Sequence, residues 1–425
     1  MGKKLNFIAL AFIVIICTFT STSFPKLSST IDKGDTAWML IASAFVLLMT
    51  PGLSFFYGGM INKKNVISTM LQSFIALGVV SVLWVLVGFS LAFGDSIGGI
   101  VGNPMTYFAF NHVGLEPNTA FSSSIPFLLF ALFQLKFAII TPALITGSFA
   151  GRVRFRSYIF FMVLFSVFIY SPLAHMTWHP EGLFRKWGVL DFAGGTVVHM
   201  SAGFAALAGA VFLGKRKSVI DHAANVPFVI LGTGLLWFGW FGFNAGSALG
   251  ANEDAVIAFA NTNIASATAM ISWVFYERML GRKMSAVGAC IGAVVGLVAI
   301  TPAAGFVTIG QSIFIGFVAS IISNWAIRFK NKTNVDDTLD VFPSHGVGGI
   351  VGMLLTAVFA SGVGLIYGET STFIYHVIAL VITSIFCFGG SYLLYYFVDS
   401  LLSMRVREDQ EDRGLDQSQH GEKIN

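Results

Sequence analysis

The feature that most constrains this chain is a series of long apolar segments separated by short loops that carry most of its charges. Many of these segments approach the roughly 20 residues that an α-helix needs to cross a bilayer. Only 11% of the 425 residues are charged and 55% are hydrophobic, whereas soluble domains carry about 25% charged residues. The charge content therefore disfavours a large soluble enzyme and predicts an all-α polytopic membrane protein.

The apolar runs predict eleven transmembrane helices in one membrane domain, residues 36–403. A polar tail of mixed charge, residues 404–425, follows this domain and is not expected to span the membrane. The predicted helices cover residues 36–60, 67–93, 123–149, 157–177, 193–213, 226–247, 254–278, 284–301, 306–328, 345–363 and 373–403.

Residues 1–23 have the pattern of a secretory signal peptide. Lys3 and Lys4 precede an apolar stretch of about 13 residues, and small residues follow as far as Ser23. The alternative is an uncleaved first helix. The apolar stretch is short for a membrane span, and this favours cleavage.

Basic residues are concentrated in alternate loops, which predicts the orientation. By the positive-inside rule, the mature N-terminus lies outside and the C-terminus lies in the cytoplasm. We therefore expect a multi-pass protein of the inner (cytoplasmic) membrane, surrounded by lipid and without a nucleic-acid partner. Arg185 and Lys186 are the exception to the alternation, and the basic loop clusters are Lys63 and Lys64; Arg152, Arg154 and Arg156; Lys215, Arg216 and Lys217; Arg278, Arg282 and Lys283; and Arg328, Lys330 and Lys332.

Two predicted helix starts share one pattern, an Asp followed after seven residues by a His. The first pair is Asp191 and His199, and the second is Asp337 and His345. Eight helical residues rise about 12 Å, close to half of a hydrocarbon core of roughly 30 Å. Both imidazoles are therefore expected near the midplane if they enter from opposite faces, although Pro343 interrupts the second segment.

Other similarities support an internal repeat. Gly203 and Gly349 occupy the same position after each His, and "GLSFFYGG" (52–59) weakly resembles "GWFGFNAG" (239–246). Spans one to five therefore resemble spans six to ten. Because five is an odd number, two such repeats cross the membrane in opposite senses. The predicted architecture is two inverted five-helix repeats plus a final helix.

Imidazoles inside a membrane are costly unless they are paired, and they usually mark a transport pathway. The alternative is two independent histidines, each bonded to a backbone carbonyl. Zinc needs at least three protein ligands, and no spaced Ser or Cys nucleophile indicates hydrolysis. We therefore expect no metal, no cofactor and no enzymatic activity.

Aromatic residues cluster near the predicted outer ends of several spans. Phe137 lies in the third span, Trp178 ends the fourth, and Trp240, Phe243 and Ser247 lie in or just after the sixth. Aromatic faces and a hydroxyl together attract a small cation. Interfacial belts are also rich in Trp, and this alternative stays open for Trp178.

Several motifs resemble the ammonium transporter (Amt) branch of the Amt/Rh family. They are "GGTVVHMSAG", "GWFGFNAGSA", "NTNIASATA", "DVFPSHGVGGIVG" and "MRVREDQEDRGLDQSQHGE", and the resemblance covers about residues 36 to 425. It implies eleven transmembrane helices, a homotrimer and one conduction path in each protomer. It also implies a role in nitrogen metabolism.

The resemblance assigns roles to the residues that match the family's motifs. It implies that Gln134 adds a polar contact beside the gate. The other implied sites are an outer ammonium-binding site of Trp178, Phe137, Ser247 and Asp191, a gate of Phe137 and Phe243, and a pore containing His199, His345 and Trp240.

Desolvation physics agrees with the roles that the resemblance implies. A bare cation in an apolar pore pays a large desolvation cost, whereas ammonia does not, and paired imidazoles can carry the proton. We therefore expect ammonium uptake by conduction of ammonia with separate proton transfer. The alternatives are electroneutral gas conduction, an ammonium sensor with little flux, and, without motif support, a membrane enzyme.

Two further regions are notable in the light of the resemblance. The tail, "GLDQSQHGE" (414–422), is similar to a family segment that couples subunits and docks PII-type signal proteins; a disordered charged tail is the alternative. Lys136 departs from the family pattern beside the gate residue Phe137. Its ammonium group could extend outward, pair with Asp191 or contact a neighbouring protomer.

Overall fold

The computed structural model describes residues 31–217 and 223–424, together with Ile8, Ala11, Phe12, Val14, Ile15 and Ile16 of the leader. The predicted signal peptide, residues 1–23, therefore lies almost wholly outside the described residues, and its cleavage stays a prediction.

Within the described ranges, ten helices are long and apolar enough to cross a membrane, and one further apolar helix is shorter. The all-α polytopic architecture is thus confirmed. The exact count of eleven spans stays a prediction, because the shorter helix, α8, has 15 residues. In chain order the helices are α1 (Lys33–Met60), α2 (Lys63–Phe93), α3 (Phe127–Phe149), α4 (Phe155–Lys186), α5 (Gly195–Leu213), α6 (Val226–Ala248), α7 (Glu253–Met279), α8 (Ala286–Ile300), α9 (Ile309–Lys330), α10 (Phe342–Phe359) and α11 (Thr370–Leu401).

Polar residues in the loops determine where several helices begin. A side-chain oxygen that accepts a backbone N–H in the first turn satisfies a donor that otherwise lacks a partner. The residues that do this are Asp32 for α1, Asn225 for α6, Asn252 for α7, Ser285 for α8 and Thr308 for α9.

Four helices contain a wide π-helical turn. In α2 and α4 the turn is internal, at Trp84–Gly88 and Ser166–Tyr170. In α5 and α10 it forms the first turn, at Gly195–Met200 and Phe342–Val347. Because π turns are uncommon and concentrate at functional sites, the first turns of α5 and α10, which contain His199 and His345, are candidates for a functional site.

Close helix packing depends on glycine at particular crossings. A Cβ atom on Gly232 of α6 would lie 2.3 Å from the backbone nitrogen of Phe56 on α1. Any larger residue would therefore force these helices apart. The two weakly similar segments, 52–59 and 239–246, lie on this packed pair of helices.

The tail is folded and docked against the loops at one end of the bundle. It forms α12 (Glu408–Arg413) and a turn at Asp416–His420. The Leu415 N–H donates to the Asn65 side chain at 2.8 Å, and the Asp416 carboxylate accepts the N–H groups of Ile67 and Ser68. Residues 404–424 are therefore not a disordered segment, and we call this end of the bundle the tail face.

A short hairpin, β1 (Ser96–Ile97) and β2 (Val101–Gly102), lies after α2. The helix α3 runs from this opposite end, which we call the cavity face, towards the tail face. Just beyond its last residue, Phe149, the N–H of Arg154 donates to the Met404 carbonyl in the tail at 2.8 Å.

Candidate functional site

A cavity of about 580 Å³ opens at the cavity face, between the starts of α3 and α7 and the ends of α4 and α6. Its walls contain Gln134, Phe137, Trp178, Asp191 and Ser247. These are the four residues that the resemblance assigns to an outer site, together with the glutamine beside the gate. The structure therefore brings all five to one cavity.

Aromatic rings lead from this cavity into the interior. Trp178 and Phe137 meet edge to face with ring centroids 5.8 Å apart, and the Phe137 and Phe243 centroids are 4.3 Å apart at an angle of 37°. Phe137 and Phe243 are almost fully buried. Phe137 forms part of the cavity wall, and Phe243 packs directly against it on the inner side.

Two imidazoles lie directly beneath the phenylalanine pair. The His199 ring is 5.9 Å from Phe243 and 5.4 Å from His345. The two Nδ1 atoms are 3.3 Å apart, within hydrogen-bonding distance. The histidines are thus bonded to each other and not to separate backbone carbonyls. Trp178, Phe137, Phe243, His199 and His345 form a continuous series, which we call the ring column.

Glycine residues allow the two His-bearing segments to approach. A Cβ atom on Gly203 would lie 2.2 Å from the Gly346 nitrogen, and one on Gly349 would lie 3.0 Å from the Gly195 oxygen. Each glycine follows its own His by four residues and faces the segment that carries the other His. The similarity between the two motifs is therefore also a structural similarity at the point where they meet.

An aspartate fixes each of these two segments by capping its first turn. Asp191 accepts the N–H groups of Gly194, Gly195 and Thr196 and the Thr196 hydroxyl. Asp337 accepts the Phe342 N–H at 2.7 Å. The carboxylates thus stabilise the positive ends of α5 and α10.

The capping geometry corrects one assumption made from the sequence. The helix after Asp191 begins at Gly195, so eight helical residues do not separate Asp191 from His199. The depth of the imidazoles was therefore estimated from a stretch of helix that is longer than the one in the structure. What brings the imidazoles together is the contact between α5 and α10.

Asp191 also holds the aromatic wall of the cavity. Its backbone carbonyl accepts the indole N–H of Trp178 at 3.1 Å, while its side chain is occupied by the cap and only 7% exposed. Asp191 therefore supports the cavity mainly from behind the wall.

Two uncharged polar side chains present oxygen atoms near the cavity. The Ser247 hydroxyl donates to the Phe243 carbonyl at 2.8 Å, which leaves its oxygen as an acceptor. The Gln134 Oε1 is buried and has no hydrogen-bond partner within the described part of the chain. Both oxygens could accept a hydrogen bond from a cation.

Thr301 is a site residue that the sequence reasoning missed. Its Oγ1 accepts the indole N–H of Trp240 at 2.9 Å and lies 3.3 Å from the His199 Nε2. It also donates to the Leu297 carbonyl at 2.8 Å. No motif distinguished this threonine, because its partners lie 61 and 102 residues away in the chain.

Hydrogen bonding around Thr301 assigns the imidazole tautomers. A hydroxyl has one hydrogen, and the shorter contact, to Leu297, uses it. The His199 Nε2 must then carry a hydrogen, and its Nδ1 accepts one from the Nδ1 of His345. This leaves the Nε2 of His345 as an unprotonated acceptor.

Lys136 does not belong to this site. Pairing with Asp191, one of its three possible positions, is wrong: the Asp191 carboxylate serves the α5 cap, and no described carboxylate lies within 4.0 Å of the lysine. Lys136 instead shares a partly exposed stripe of α3 with Leu128 and Leu132. Its ammonium group therefore does not face the ring column.

The fold and site define a class: a polytopic helical membrane protein with a cavity that leads through a column of rings to paired histidines. Residues 37–424 match the model of the Ammonium Transporter Family. The chain belongs to this family, as its motifs indicated.

The chain is similar to several curated relatives and solved structures over nearly its whole length. An ammonium transporter of Aquifex aeolicus (strain VF5) is 46% identical, with 98% of this chain and 99% of that protein covered. An ammonium transporter of Bacillus subtilis (strain 168) is 42% identical, with 92% and 98% covered. Similar structures are Saccharomyces cerevisiae Mep2 (TM-score 0.84, 32% identity, 92% and 94% covered) and a "Sensor Amt Protein" (TM-score 0.85, 30% identity, 91% and 98% covered).

Proposed function

We propose that this protein transports ammonium across the cytoplasmic membrane, taking it up from the outside. The observation that carries the proposal is the ring column, which leads from an open cavity to two histidines with Nδ1 atoms 3.3 Å apart. The names of the relatives imply ammonium transport, and we propose the ring column as the route for it in this molecule.

The cavity recruits the cation. Ammonium is small and tetrahedral, so it can meet several acceptors at once. The faces of Trp178 and Phe137 attract it by cation–π contact, and the oxygens of Ser247 and Gln134 accept its hydrogens. The negative charge of Asp191 lies behind this wall and favours a cation in front of it.

The phenylalanine pair selects for the uncharged form. Phe137 and Phe243 leave no polar atom between their rings, and a cation passing them would lose its water without compensation. Uncharged ammonia does not pay this desolvation cost. The proton is therefore released at the cavity side and crosses separately, while ammonia passes when the two rings move aside.

The histidines provide a separate route for the proton. For inward transfer a proton enters at the His199 Nε2, the Nδ1 hydrogen moves from His199 to His345, and the His345 Nε2 releases its proton. The tautomers assigned above are the state that this transfer leaves, and both rings exchange tautomers before the next one. Thr301 accepts hydrogen bonds from Trp240 and His199, and these fix the orientation of the His199 ring next to His345. Net movement of one positive charge accompanies each ammonia.

Current on an ammonium pulse tests the mechanism. The full chain in proteoliposomes is expected to give a current that an equal potassium pulse does not. Ammonia flux without current would replace this mechanism with electroneutral conduction. If neither flux nor current appears, transport itself is rejected, and empty liposomes serve as the blank.

We further propose the assembly and orientation that the resemblance implies: a homotrimer of eleven-span protomers, each with two inverted five-helix repeats, with the tail face in the cytoplasm. Basic residues at the tail face, such as Arg152 and Lys215, support this orientation. The docked tail, residues 404–424, is the proposed regulatory element and contact for a PII-type protein. A thiol reagent that does not cross membranes tests this orientation. It is expected to label a cysteine introduced in the tail only after right-side-out vesicles are opened.

Sensing with little flux is the second candidate. The folded tail is an element that could report on the pore, and one similar structure is a "Sensor Amt Protein". Growth of an uptake-deficient strain on low ammonium distinguishes the two functions. Rescue by this gene supports transport, and normal membrane expression without rescue supports sensing.

A further inference from the structure

The tail face has a second cavity that the proposed transport route does not use. It has a volume of about 540 Å³ and lies between the loop after α5, the loop after α3 and the start of the tail. We call it the basic pocket, because its walls contain six cationic side chains: Arg154, Lys215, Arg216, Lys217, Arg405 and Arg407.

Acidic residues neutralise only part of this charge. Four of the six cations have a carboxylate partner, and within the described ranges Arg154 and Lys215 have none within 4.0 Å. The walls and their acidic partners therefore carry an excess of two positive charges. The ion pairs are Arg216 with Asp336 (2.8 Å), Lys217 with Glu408 (2.6 Å), Arg405 with Glu411 (3.0 Å) and Arg407 with Asp409 (3.1 Å).

A further cation behind the pocket adds to this excess. Arg152 is fully buried and shares Asp336 with Arg216. Burial lowers the pKa of Arg152 to about 10, so it stays charged at neutral pH. Burial raises the pKa of Asp336, but Arg152 and Arg216 outweigh it and keep that pKa below its ordinary value. Arg152 and Asp336 are therefore both ionised at neutral pH.

Unused hydrogen-bond donors accompany the charge. The side chain of the half-buried Arg154 makes no hydrogen bond with any described residue. The Nη1 of Arg216 also lacks an acceptor there, but this atom is buried and does not face the pocket. Lys215 uses one of its three donors, to the Asn334 Oδ1 at 2.8 Å. The pocket thus offers donors as well as charge to an anion.

We propose that the basic pocket binds a phosphate group. A phosphate monoester carries a charge close to −2 at neutral pH and has several strong acceptor oxygens, which match the excess charge and the unused donors. Arg154 and Lys215 contact it most directly. Arg405 and Arg407 of the tail lie in the same walls, so the bound phosphate connects the α5–α6 loop to the start of the tail and stabilises the docked tail.

The phosphate has two possible sources, a free phosphate compound in solution or the headgroup of an anionic phospholipid. Both present anionic phosphate oxygens, although the phosphodiester of a lipid such as phosphatidylglycerol has a single negative charge and fewer free oxygens than a monoester. The lipid composition around the protein distinguishes the two sources. The inference depends on neither ammonium transport nor the twin histidines. Its failure would therefore leave the proposed function untouched.

Thermal unfolding of the full chain with inorganic phosphate tests the proposal. In nanodiscs of zwitterionic lipid, phosphate is expected to raise the unfolding midpoint, since a ligand that binds only the folded state stabilises it. Sodium chloride at equal ionic strength is expected to have no such effect. An equal effect of chloride would show that only screening is involved and would overturn the proposal.

Variants identify the pocket. Arg154→Gln combined with Lys215→Gln is expected to weaken phosphate binding by about tenfold or more, because each loses a charged hydrogen-bond donor. The matched control is Lys283→Gln, an exposed lysine outside the pocket, with unchanged binding. Lys215→Gln alone gives a smaller effect of the same sign and replaces the double variant if that does not fold.

Anionic lipid completes the comparison. If phosphatidylglycerol nanodiscs raise the midpoint in the unaltered protein but not in the double variant, and added phosphate then has no effect, the ligand is a lipid headgroup. Midpoint changes that are the same in both proteins, or no response to either ligand, would reject the phosphate site.

Discussion

Thr301 is the residue on which two rings of the pathway converge. Its hydroxyl accepts a hydrogen from Trp240, lies 3.3 Å from the His199 Nε2, and donates its own hydrogen to Leu297. The tautomer of the histidine pair therefore depends on one oxygen atom. A small side chain with no acid–base chemistry of its own therefore lies at the proposed proton route.

Replacing this hydroxyl tests the role of Thr301. Thr301→Val keeps the side-chain shape but leaves two buried N–H donors without an acceptor, at a cost of about 1–3 kcal/mol each. We expect a lower unfolding midpoint and reduced ammonium-evoked current. Thr301→Ser keeps the hydroxyl and is expected to retain both. Equal behaviour of the two variants would show that the hydroxyl does not matter.

Substitution of Lys136, unlike that of Thr301, is expected to leave transport unchanged, because this residue lies outside the site. It lies on the α3 stripe with Leu128 and Leu132, and not in the cavity wall. Lys136→Met is therefore expected to leave ammonium current and apparent affinity unchanged in proteoliposomes. The adjacent Phe137→Ala serves as the positive control, with altered transport. A changed affinity in Lys136→Met would mean that the charge reaches the pathway.

Individual residues differ in how far the sequence could predict them. His199 and His345 were predictable as a pair, because the same spacing from an aspartate occurs twice. The aromatic residues and Ser247 needed the family resemblance, since interfacial aromatics are common in any membrane protein. Thr301 needed the structure, because its partners are distant in the chain.

At the scale of elements, the ends of the membrane helices were predicted to within a few residues, except for the end of α4, which extends to Lys186. The starts of α5 and α10 were not understood. Apolar periodicity reports a helix and gives no sign of a π turn. Asp191 and Asp337 lie outside the predicted helices, 193–213 and 345–363, but the depth estimate counted every residue from each Asp to its His as helical. In the structure each Asp caps a first turn that begins after it. The packing of Gly203 against Gly346 also required coordinates.

The two caps differ in a testable way. Asp191 uses both oxygens to accept four hydrogens, whereas the Oδ1 of Asp337 has no partner among described residues. At position 191 the NH₂ group of an asparagine would face N–H or O–H donors and could not accept their hydrogens. At position 337 the NH₂ group could take the place of the oxygen that has no partner. We expect Asp191→Asn to lower stability by about 2–4 kcal/mol, from lost hydrogen bonds to a charged group, and to reduce transport.

Asp337→Asn is the matched control for this comparison. Its Oδ can still accept the Phe342 N–H while the NH₂ group takes the unpartnered position. A clearly smaller fall in the unfolding midpoint is therefore expected. Similar losses in the two variants would indicate that charge, and not hydrogen-bond number, determines the strength of each cap.

At the scale of the whole molecule, the tail connects loops that are far apart in sequence. Leu415 and Asp416 bind the start of α2, while Gln419 accepts the Phe155 N–H at the start of α4. A tail docked in this way follows any movement of these helices. Sequence composition alone predicts a disordered charged tail, and only the resemblance indicated a folded one.

Asp416 is expected to hold the tail in place. Its carboxylate accepts the Ser68 N–H at 2.7 Å and the Ile67 N–H at 3.0 Å, which makes it a cap supplied from another part of the chain. Loss of a capping side chain costs about 1–2 kcal/mol. For Asp416→Ala we therefore expect amide hydrogen exchange of residues 414–420 to accelerate roughly 5–30-fold, the factor that such an energy represents.

Asp412→Ala provides the control, because this exposed residue contacts Lys64 through its backbone carbonyl, which the substitution keeps. Its exchange is expected to match that of the unaltered protein. Exchange in the pore helices α5 and α10 should stay slow in both variants, since the cap holds the tail and not the bundle. If Asp416→Ala left the tail amides fully protected, the tail would be held by its other contacts, and the ion pairs of Lys217 and Arg405 would be the next ones to remove.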